Sequence, residues 1–174
     1  MKNPSVILVR ATLLSAVLAL TACGTSRNAM TTLESRSGSS TTGTATFTQM
    51  GDKVTMKLDV ANATPGEHGA HLHETGDCSA ADASSAGGHW NPATKTHGPA
   101  DPAHHLGDLG NITIGQDGKG SLTVTKEAWM IGDGSPQDLV GKALIIHGGK
   151  DDLVTDPAGN SGNRAACGVI AEKK

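Results

Sequence analysis

The fold and the candidate site are both indicated by the stretch Gly66-Glu67-His68-Gly69-Ala70-His71-Leu72-His73. Side chains in an extended segment repeat with a period of two, so a His-x-His pair in a strand places both imidazoles on one face. His71 and His73 can therefore bind the same metal ion. The stretch predicts a strand that contributes two ligands to a metal site.

Further histidine motifs follow this stretch in order. They are Gly87-Gly88-His89-Trp90-Asn91-Pro92, His97-Gly98-Pro99, His105-Leu106-Gly107-Asp108-Leu109-Gly110 and Ile145-Ile146-His147. Taken in sequence order and with their gaps, these strings closely resemble the copper-zinc superoxide dismutases, from about Ala29 to the C-terminus. A single histidine on a strand is usually structural, and it is the joint pattern that indicates metal binding.

The resemblance implies two adjoining metal sites that share one histidine. Copper would be held by His71, His73, His89 and His147, and zinc by His89, His97, His105 and Asp108. The ligand chemistry agrees independently, because imidazole suits copper, whereas three nitrogens and one carboxylate oxygen suit tetrahedral zinc. A bridging imidazolate must lose both ring protons, and two flanking cations make the second loss feasible near neutral pH.

Two further residues match positions that act beside the metals in the family. Asp151 resembles the carboxylate that accepts hydrogen bonds from one copper and one zinc histidine, here His71 and His97; the alternative is a solvated loop acid, as we expect for Asp152. Arg164 lies in Gly162-Asn163-Arg164-Ala165-Ala166-Cys167-Gly168-Val169, which resembles the family segment whose arginine docks a small anion next to copper. Its alternative is a surface ion pair.

The same resemblance assigns no metal to the two remaining histidines and pairs two of the cysteines. His68 matches a structural histidine, and His104 matches no residue with a role. Cys78 and Cys167 match the family's intradomain disulfide, which persists in an oxidising compartment.

The N-terminus has the features of an export signal. Lys2 and Arg10 precede the apolar run from 11 to 20, which is too short to span a bilayer. The following Leu20-Thr21-Ala22-Cys23-Gly24 resembles the processing box of a bacterial lipoprotein, in which Cys23 would be acylated. The alternative is ordinary cleavage near Ala22, which would release a soluble protein with a stray thiol.

These features predict three segments: a lipoprotein-type signal peptide at 1–22, a lipidated N-terminus and short tether at 23–28, and a dismutase domain at 29–174. We expect the protein to face the periplasm from the outer membrane of a bacterial envelope, because Gly24 is not an inner-membrane retention residue. That expectation rests on analogy.

The chain between Ala29 and the C-terminus predicts an all-β domain, since short β-branched or alternating stretches recur between turn residues. The candidate strands are 30–34, 44–49, 53–60, 68–74, 111–114, 121–126, 142–147 and 166–171. The family implies that these eight strands form a Greek-key flattened β-barrel with long metal-binding loops. Residues 116–119 form a hairpin signal of the Asp-Gly type, and residues 50–52 form a weaker one. The sequence Asn111-Ile112-Thr113 matches the glycosylation pattern, and we interpret this match as a coincidence.

Charge and composition restrict the partners. The chain carries a net charge of −3, and removal of Lys2 and Arg10 with the signal leaves 12 basic and 17 acidic residues. With this excess of acidic residues, no basic patch indicates binding to nucleic acid. Trp90 and Trp129 can serve packing or a subunit interface, so the choice between monomer and homodimer stays open.

The resemblance implies that the protein converts superoxide into oxygen and hydrogen peroxide by copper redox cycling, with His89 shared between the metals. The alternative is a lipoprotein that binds copper and zinc without turnover; a copper-only dismutase is disfavoured because all four zinc positions are filled. Arg164 argues against storage, since a storage site has no use for an anion dock.

Overall fold

A computed structural model describes residues 26–173, which form an antiparallel β-barrel. The predicted signal peptide at 1–22 and Cys23 lie outside the described residues. The strands are β1 (Arg27–Ser35), β2 (Thr42–Met50), β3 (Lys53–Ala61), β4 (Gly66–His73), β5 (Asp108–Ile114), β6 (Gly120–Lys126), β7 (Ala143–His147), β8 (Arg164–Val169) and the two-residue β9 (Ala171–Glu172). Among residues 26–173, no helix is long and apolar enough to cross a membrane.

The strands form one sheet in the order β5-β4-β7-β8-β1-β2-β3-β6, with β9 added beside β1. Every registered pair is antiparallel. The two ends of this path, β5 and β6, are consecutive in the chain and lie against each other, which nearly closes the barrel. The prediction of an all-β eight-stranded Greek-key barrel is therefore confirmed, with β9 as a short addition.

The predicted strand limits differ from the observed ones where tertiary contacts override local sequence signals. Strand β1 begins at Arg27 and β5 at Asp108, each three residues before the predicted start. The predicted strand at 166–171 is broken at Ile170, whose backbone N–H donates to Lys142 O and whose carbonyl accepts from the N–H of Gly141. Ile170 thereby ends β8, and the two residues after it form β9, which pairs with the first half of β1.

The ranking of the two predicted hairpins is reversed in the structure. The weaker signal makes a tight hairpin, because β2 and β3 stay in register up to Met50↔Lys53 and leave only Gly51-Asp52 in the loop. The stronger Asp-Gly signal makes a turn in which Gly115 N–H donates to Lys119 O at 2.8 Å. Its flanking strands do not pair with each other, since β5 pairs with β4 and β6 pairs with β3.

Strand β4 separates the barrel core from the metal-ligand residues by simple alternation. Ala70 and Leu72 are buried in the core, while His71 and His73 point from the opposite face. That face is also buried, because the long segments at 74–107 and 148–163 cover it. The histidines are thus held between a rigid sheet and two loops.

The barrel core contains all three aromatic residues of the chain, Phe47, Trp90 and Trp129. Phe47 and Trp129 make an edge-on contact at 6.2 Å between ring centroids. The ambiguity over the tryptophans is resolved in favour of packing, because Trp90 is 3% exposed and Trp129 is fully buried.

Candidate metal centre

The four predicted copper ligands form one buried cluster. His71 and His73 come from β4, and His147 ends β7. His89 lies in the long loop, where its backbone forms an isolated antiparallel β-bridge with that of His73. One ring nitrogen of each histidine lies within 4.8 Å of those of the other three. His71 Nδ1, His73 Nε2, His89 Nε2 and His147 Nε2 are all buried and have no hydrogen-bond partner in the part of the chain that the structure describes.

The opposite nitrogens of these rings are oriented by hydrogen bonds. His73 Nδ1 is 2.9 Å from Gly87 O, and His147 Nδ1 is 3.2 Å from Gly162 O. A ring that donates to a carbonyl presents its second nitrogen as an unprotonated acceptor. Leaving four such acceptors buried and unpaired would be costly, so their convergence is the observation that fits a metal ion with imidazole ligands, as copper prefers.

The four predicted zinc ligands form a second buried cluster. The Nδ1 atoms of His89, His97 and His105 lie 2.9, 3.1 and 3.3 Å from Asp108 Oδ1. The other oxygen, Asp108 Oδ2, accepts the backbone N–H groups of Gly98 and His105 at 3.0 and 3.2 Å. Three imidazole nitrogens and one carboxylate oxygen are a donor set that fits zinc.

His89 belongs to both clusters, with Nδ1 facing Asp108 and Nε2 facing the copper ligands. Its ring is stacked near that of His71, with centroids 4.0 Å apart. The sequence-based prediction of a shared histidine therefore corresponds to one imidazole whose two nitrogens point to different sites.

Asp151 connects the two clusters from behind. Its Oδ2 is 2.8 Å from His71 Nε2 and its Oδ1 is 2.9 Å from His97 Nε2, and the carboxylate is fully buried. Although burial favours the neutral acid, the hydrogen bonds from His71 and His97 lower the pKa of Asp151 to about 2. His71, His97 and Asp151 also satisfy the geometry of a three-ligand group, but here each imidazole nitrogen bonds the carboxylate directly, which makes Asp151 a bridge.

Three residues that support Asp151 and His97 were not recognised from the sequence. Asn111 holds the backbone of Asp151 on both sides, accepting from its N–H at 2.8 Å and donating to its carbonyl at 2.9 Å. Asp156 Oδ1 accepts the backbone N–H of His97 at 2.6 Å. Gly159 has φ of +60°, and a Cβ there would lie 1.7 Å from Asp151 Oδ1. In the sequence, Asn111 stands out only as part of a glycosylation pattern, which does not predict its contact with Asp151.

The acid next to Asp151 is exposed, as expected, but it shapes the covering loop. Asp152 Oδ1 accepts the backbone N–H groups of Val154 and Thr155 at 3.0 and 2.9 Å. These bonds lower the pKa of Asp152 far below its ordinary value, those from Thr155 most strongly.

Arg164 is half-buried at the start of β8 and clamps the loop over the copper-ligand cluster. Its guanidinium donates to Ala83 O and Gly87 O, each at 2.7 Å. The same Gly87 carbonyl accepts from His73, so one backbone group links the arginine to a copper-ligand histidine. Burial is the main cause of the lowered pKa values of His73 and His147, and the charge of Arg164 lowers both further.

Cys78 and Cys167 are joined by a disulfide across 89 residues of sequence. Together they pack with Ala83, Ala86, Ala143 and Ile145 in a small apolar cluster outside the barrel. The disulfide thus attaches the loop that carries Gly87 to β8. On the chain-entropy model, closing a loop of this length stabilises the fold by about 4 kcal/mol.

His68 and His104 lie outside the two clusters. His68 is buried below the site, with Nδ1 2.8 Å from the backbone carbonyl of His147. His104 is partly exposed, with Nδ1 2.8 Å from Asp101 Oδ1. Neither belongs to a potential metal-ligand group among residues 26–173.

The metal-free protein should lose stability as pH falls from 7 to 5. Burial lowers the pKa of His89 to about 4, of His147 to about 3 and of His73 to about 2, and it also lowers the pKa of His71. The unfolded chain takes up these protons near pH 6.5 while the folded chain does not, so each such histidine favours unfolding by up to about 1.4 kcal/mol per pH unit below 6.5.

His97 opposes this trend. Burial lowers its pKa, but the carboxylates of Asp151 and Asp108 outweigh that effect and raise the pKa above its ordinary value. The four lowered groups should prevail, and Tm should fall by at least about 5 °C. Calorimetry of the metal-free protein at constant ionic strength measures this; a Tm that is flat or rises toward pH 5 would contradict the assigned burial of neutral imidazoles.

Comparison with known proteins agrees with this geometry. The family model for copper/zinc superoxide dismutase matches residues 41–170. Among curated proteins, the extracellular superoxide dismutase [Cu-Zn] of Brugia pahangi is 39% identical over 140 residues, which are 74% of this chain and 68% of that protein. Among solved structures, the crystal structure of the clock protein EA4 superposes with a TM-score of 0.73 at 34% identity, covering 83% of this chain and 93% of that one. The chain belongs to the copper/zinc superoxide dismutase family.

Proposed function

We propose that the protein converts two superoxide ions and two protons into oxygen and hydrogen peroxide. The observation that carries the proposal is the convergence of four buried, unpaired imidazole nitrogens beside a half-buried arginine. When bound, copper would supply the one-electron redox chemistry and zinc a fixed positive charge on the far side of His89. The relative from Brugia pahangi carries the name of this activity.

In this proposal His89 moves the proton. Its Nδ1 is held in the zinc cluster by Asp108, so Nε2 is the nitrogen that can release and take up a proton on the copper side. Asp151 keeps the rings of His71 and His97 in fixed orientations while this happens. The covering loops leave little room for water around the ligands, because all seven are buried and the most exposed of them, His89, is 8% exposed.

Arg164 is assigned the task of docking the superoxide anion. Two of its donors hold Ala83 and Gly87, and the residue as a whole is half-buried, so part of it stays accessible. A local cation is needed here, because the chain without its signal carries a charge of about −5 and repels an approaching anion weakly from a distance.

Reversing this charge should lower the second-order rate for superoxide by at least about tenfold. A charge reversal a few ångströms from the docking point shifts the anion's energy by more than about 1.4 kcal/mol at an effective dielectric constant near 20. The measurement is the superoxide disproportionation rate of Arg164→Glu at several ionic strengths, with copper content measured in parallel. Added salt should partly restore the variant's rate by screening the repulsion.

The matched control is Lys119→Glu, which makes the same change in net charge at an exposed turn between β5 and β6. It should keep nearly the wild-type rate. A wild-type rate in copper-loaded Arg164→Glu, or an equal loss in Lys119→Glu, would refute the docking role.

The second candidate function is metal binding without turnover. Both clusters would serve it equally well, and the similar fold of the clock protein EA4 is compatible with it. The position of Arg164 favours the enzyme, because a storage site gains nothing from a fixed cation that repels metal ions beside its ligands.

Export and anchoring form the second part of the proposal. Residues 1–22 act as a lipoprotein signal, Cys23 carries the acyl chains, and the domain faces the periplasm from the outer membrane. The support is the sequence Leu20-Thr21-Ala22-Cys23-Gly24 and the pairing of the other two cysteines with each other. Labelled fatty acid should be incorporated by the wild type and not by Cys23→Ser, which should keep its specific activity in solution.

A further inference from the structure

The first strand, β1, runs between two ends of the barrel, to which we assign different roles below. Strand β1 has nine residues and is therefore about 30 Å long. At its beginning, Arg27 pairs with Gln49 of β2; at its end, Ser35 pairs with Ala166 of β8. These two places are called here the Arg27 end and the Ser35 end.

The copper-ligand cluster and the half-buried Arg164 beside it, together called here the Arg164 opening, belong to the Ser35 end. Ser37 Oγ donates to the backbone carbonyl of Arg164 at 2.9 Å, and the N–H of Arg36 donates to that of Ala165 at 2.8 Å. Arg36 also donates from Nε to Cys78 O, in the loop that Arg164 holds. The proposed anion dock therefore lies a strand length away from Arg27.

The proposed lipid anchor lies at the opposite end. Only Gly24, Thr25 and Ser26 separate Cys23 from Arg27. Four residue steps extend over at most about 14 Å, which is half the length of β1. A lipidated Cys23 can therefore reach the bilayer only if the Arg27 end lies close to it.

The surface of the Arg27 end suits a lipid interface. Met50 is 74% exposed at the tip of the β2–β3 hairpin, beside exposed Lys53 and near exposed Arg27. Lys173 is also exposed at this end, where its N–H donates to Asn28 O. Lys53 is paired with Glu127 at 2.9 Å and Asp52 adjoins it, so electrostatic attraction to anionic headgroups is modest and the anchor is the main constraint.

We propose that the lipidated protein stands on the bilayer with the Arg27 end toward the headgroups and Met50 in contact with them, so that the Arg164 opening faces the aqueous compartment. This inference rests on the lipidation of Cys23 proposed above. It implies that the substrate arrives from solution and not along the membrane surface.

The test uses the full-length acylated protein on vesicles of phosphatidylethanolamine and phosphatidylglycerol that contain nitroxide-labelled lipid. Met50→Cys and Ser121→Cys are each labelled with a fluorescent maleimide, without reducing the Cys78–Cys167 disulfide. Ser121 is exposed and pairs with Asp59, so it lies about 20 Å further along the barrel than Met50. Asp52→Cys adds a label at the same hairpin with Met50 intact.

Lipid nitroxides should quench the label at Met50→Cys and Asp52→Cys at least about threefold more than the label at Ser121→Cys, because of this separation. Equal quenching at all three positions, or stronger quenching at Ser121→Cys, would overturn the orientation while leaving the anchor intact. The same variants carrying Cys23→Ser should show no quenching. Failure of the wild type to incorporate labelled fatty acid would overturn both the anchor and the orientation, and fatty-acid labelling therefore separates the two failures.

Discussion

The His89→Ala variant should lose at least about 100-fold of superoxide turnover, because a positioned general acid–base group contributes about 10² to 10⁴ to a rate. His89 has two tasks that no neighbouring residue can take over. Its Nδ1 completes the zinc cluster at 2.9 Å from Asp108, and its Nε2 is one of the four unpaired nitrogens on the copper side. Removing the ring therefore breaks the connection between the clusters and removes the proposed proton carrier.

The control for this prediction is His104→Ala, which removes a partly exposed imidazole that lies in the same loop and belongs to neither cluster. It should keep nearly the wild-type rate. Stopped-flow decay of superoxide, with copper and zinc measured on each variant, gives the comparison. Near-normal turnover in His89→Ala would show that the proton does not pass through this residue.

The Asp151→Asn variant should bind both metals about 10- to 100-fold more weakly, which is the usual effect of losing a carboxylate that orients metal-ligand histidines. The carboxylate accepts from His71 at 2.8 Å and from His97 at 2.9 Å. An amide can accept from only one ring and presents its NH2 group to the N–H of the other, so it cannot hold both rings in place. Because the two clusters share His89, the displaced ring should affect both. Because the site is fully buried, the unpaired group should also lower the free energy of unfolding by about 1 to 3 kcal/mol.

Chelator competition for copper and for zinc measures this effect on each site separately. Asp59→Asn makes the same chemical change on an exposed side chain of β3 and should leave both affinities unchanged. If Asp151→Asn left the affinities for both metals unchanged, Asp151 would not orient the ligand histidines.

Gly159→Ala tests the same carboxylate without changing it. The added methyl group would lie 1.7 Å from Asp151 Oδ1, so Asp151 must move. Gly38 has a similar left-handed backbone, with φ of +72°, and open space around it. Gly38→Ala therefore has the same backbone strain without the contact, and only Gly159→Ala should weaken metal binding.

The two clusters of possible metal ligands could be predicted from the sequence because the order and spacing of their residues resemble those of the family. The His71–His73 pair follows from strand alternation, and the structure places both rings on the covered face of β4. The all-β class was predictable because the strands alternate and the turns contain glycine, asparagine or aspartate, whereas the closed barrel was implied by the family resemblance.

The supporting residues could not be predicted, because their roles depend on contacts between distant segments. Asn111 reaches the backbone of Asp151 across 40 residues of sequence, and Asp156 reaches His97 across 59. Gly159 shows no motif around it, yet its lack of a side chain makes room for Asp151. The ranking of hairpins failed likewise, since the pairing of β2 with β3, and not the turn residues, makes the tight hairpin at Gly51-Asp52.

The most direct test of the central claim is metal analysis of the soluble Cys23→Ser protein after full reconstitution, together with its superoxide disproportionation rate. Seven ligand residues sharing His89 predict one copper and one zinc per chain. The rate should then approach the range of diffusion-limited enzymes, about 10⁸ to 10⁹ M⁻¹s⁻¹. Full occupancy by both metals with no disproportionation above the spontaneous rate would contradict the enzyme and favour a metal-binding lipoprotein; a single metal per chain would contradict the paired site itself.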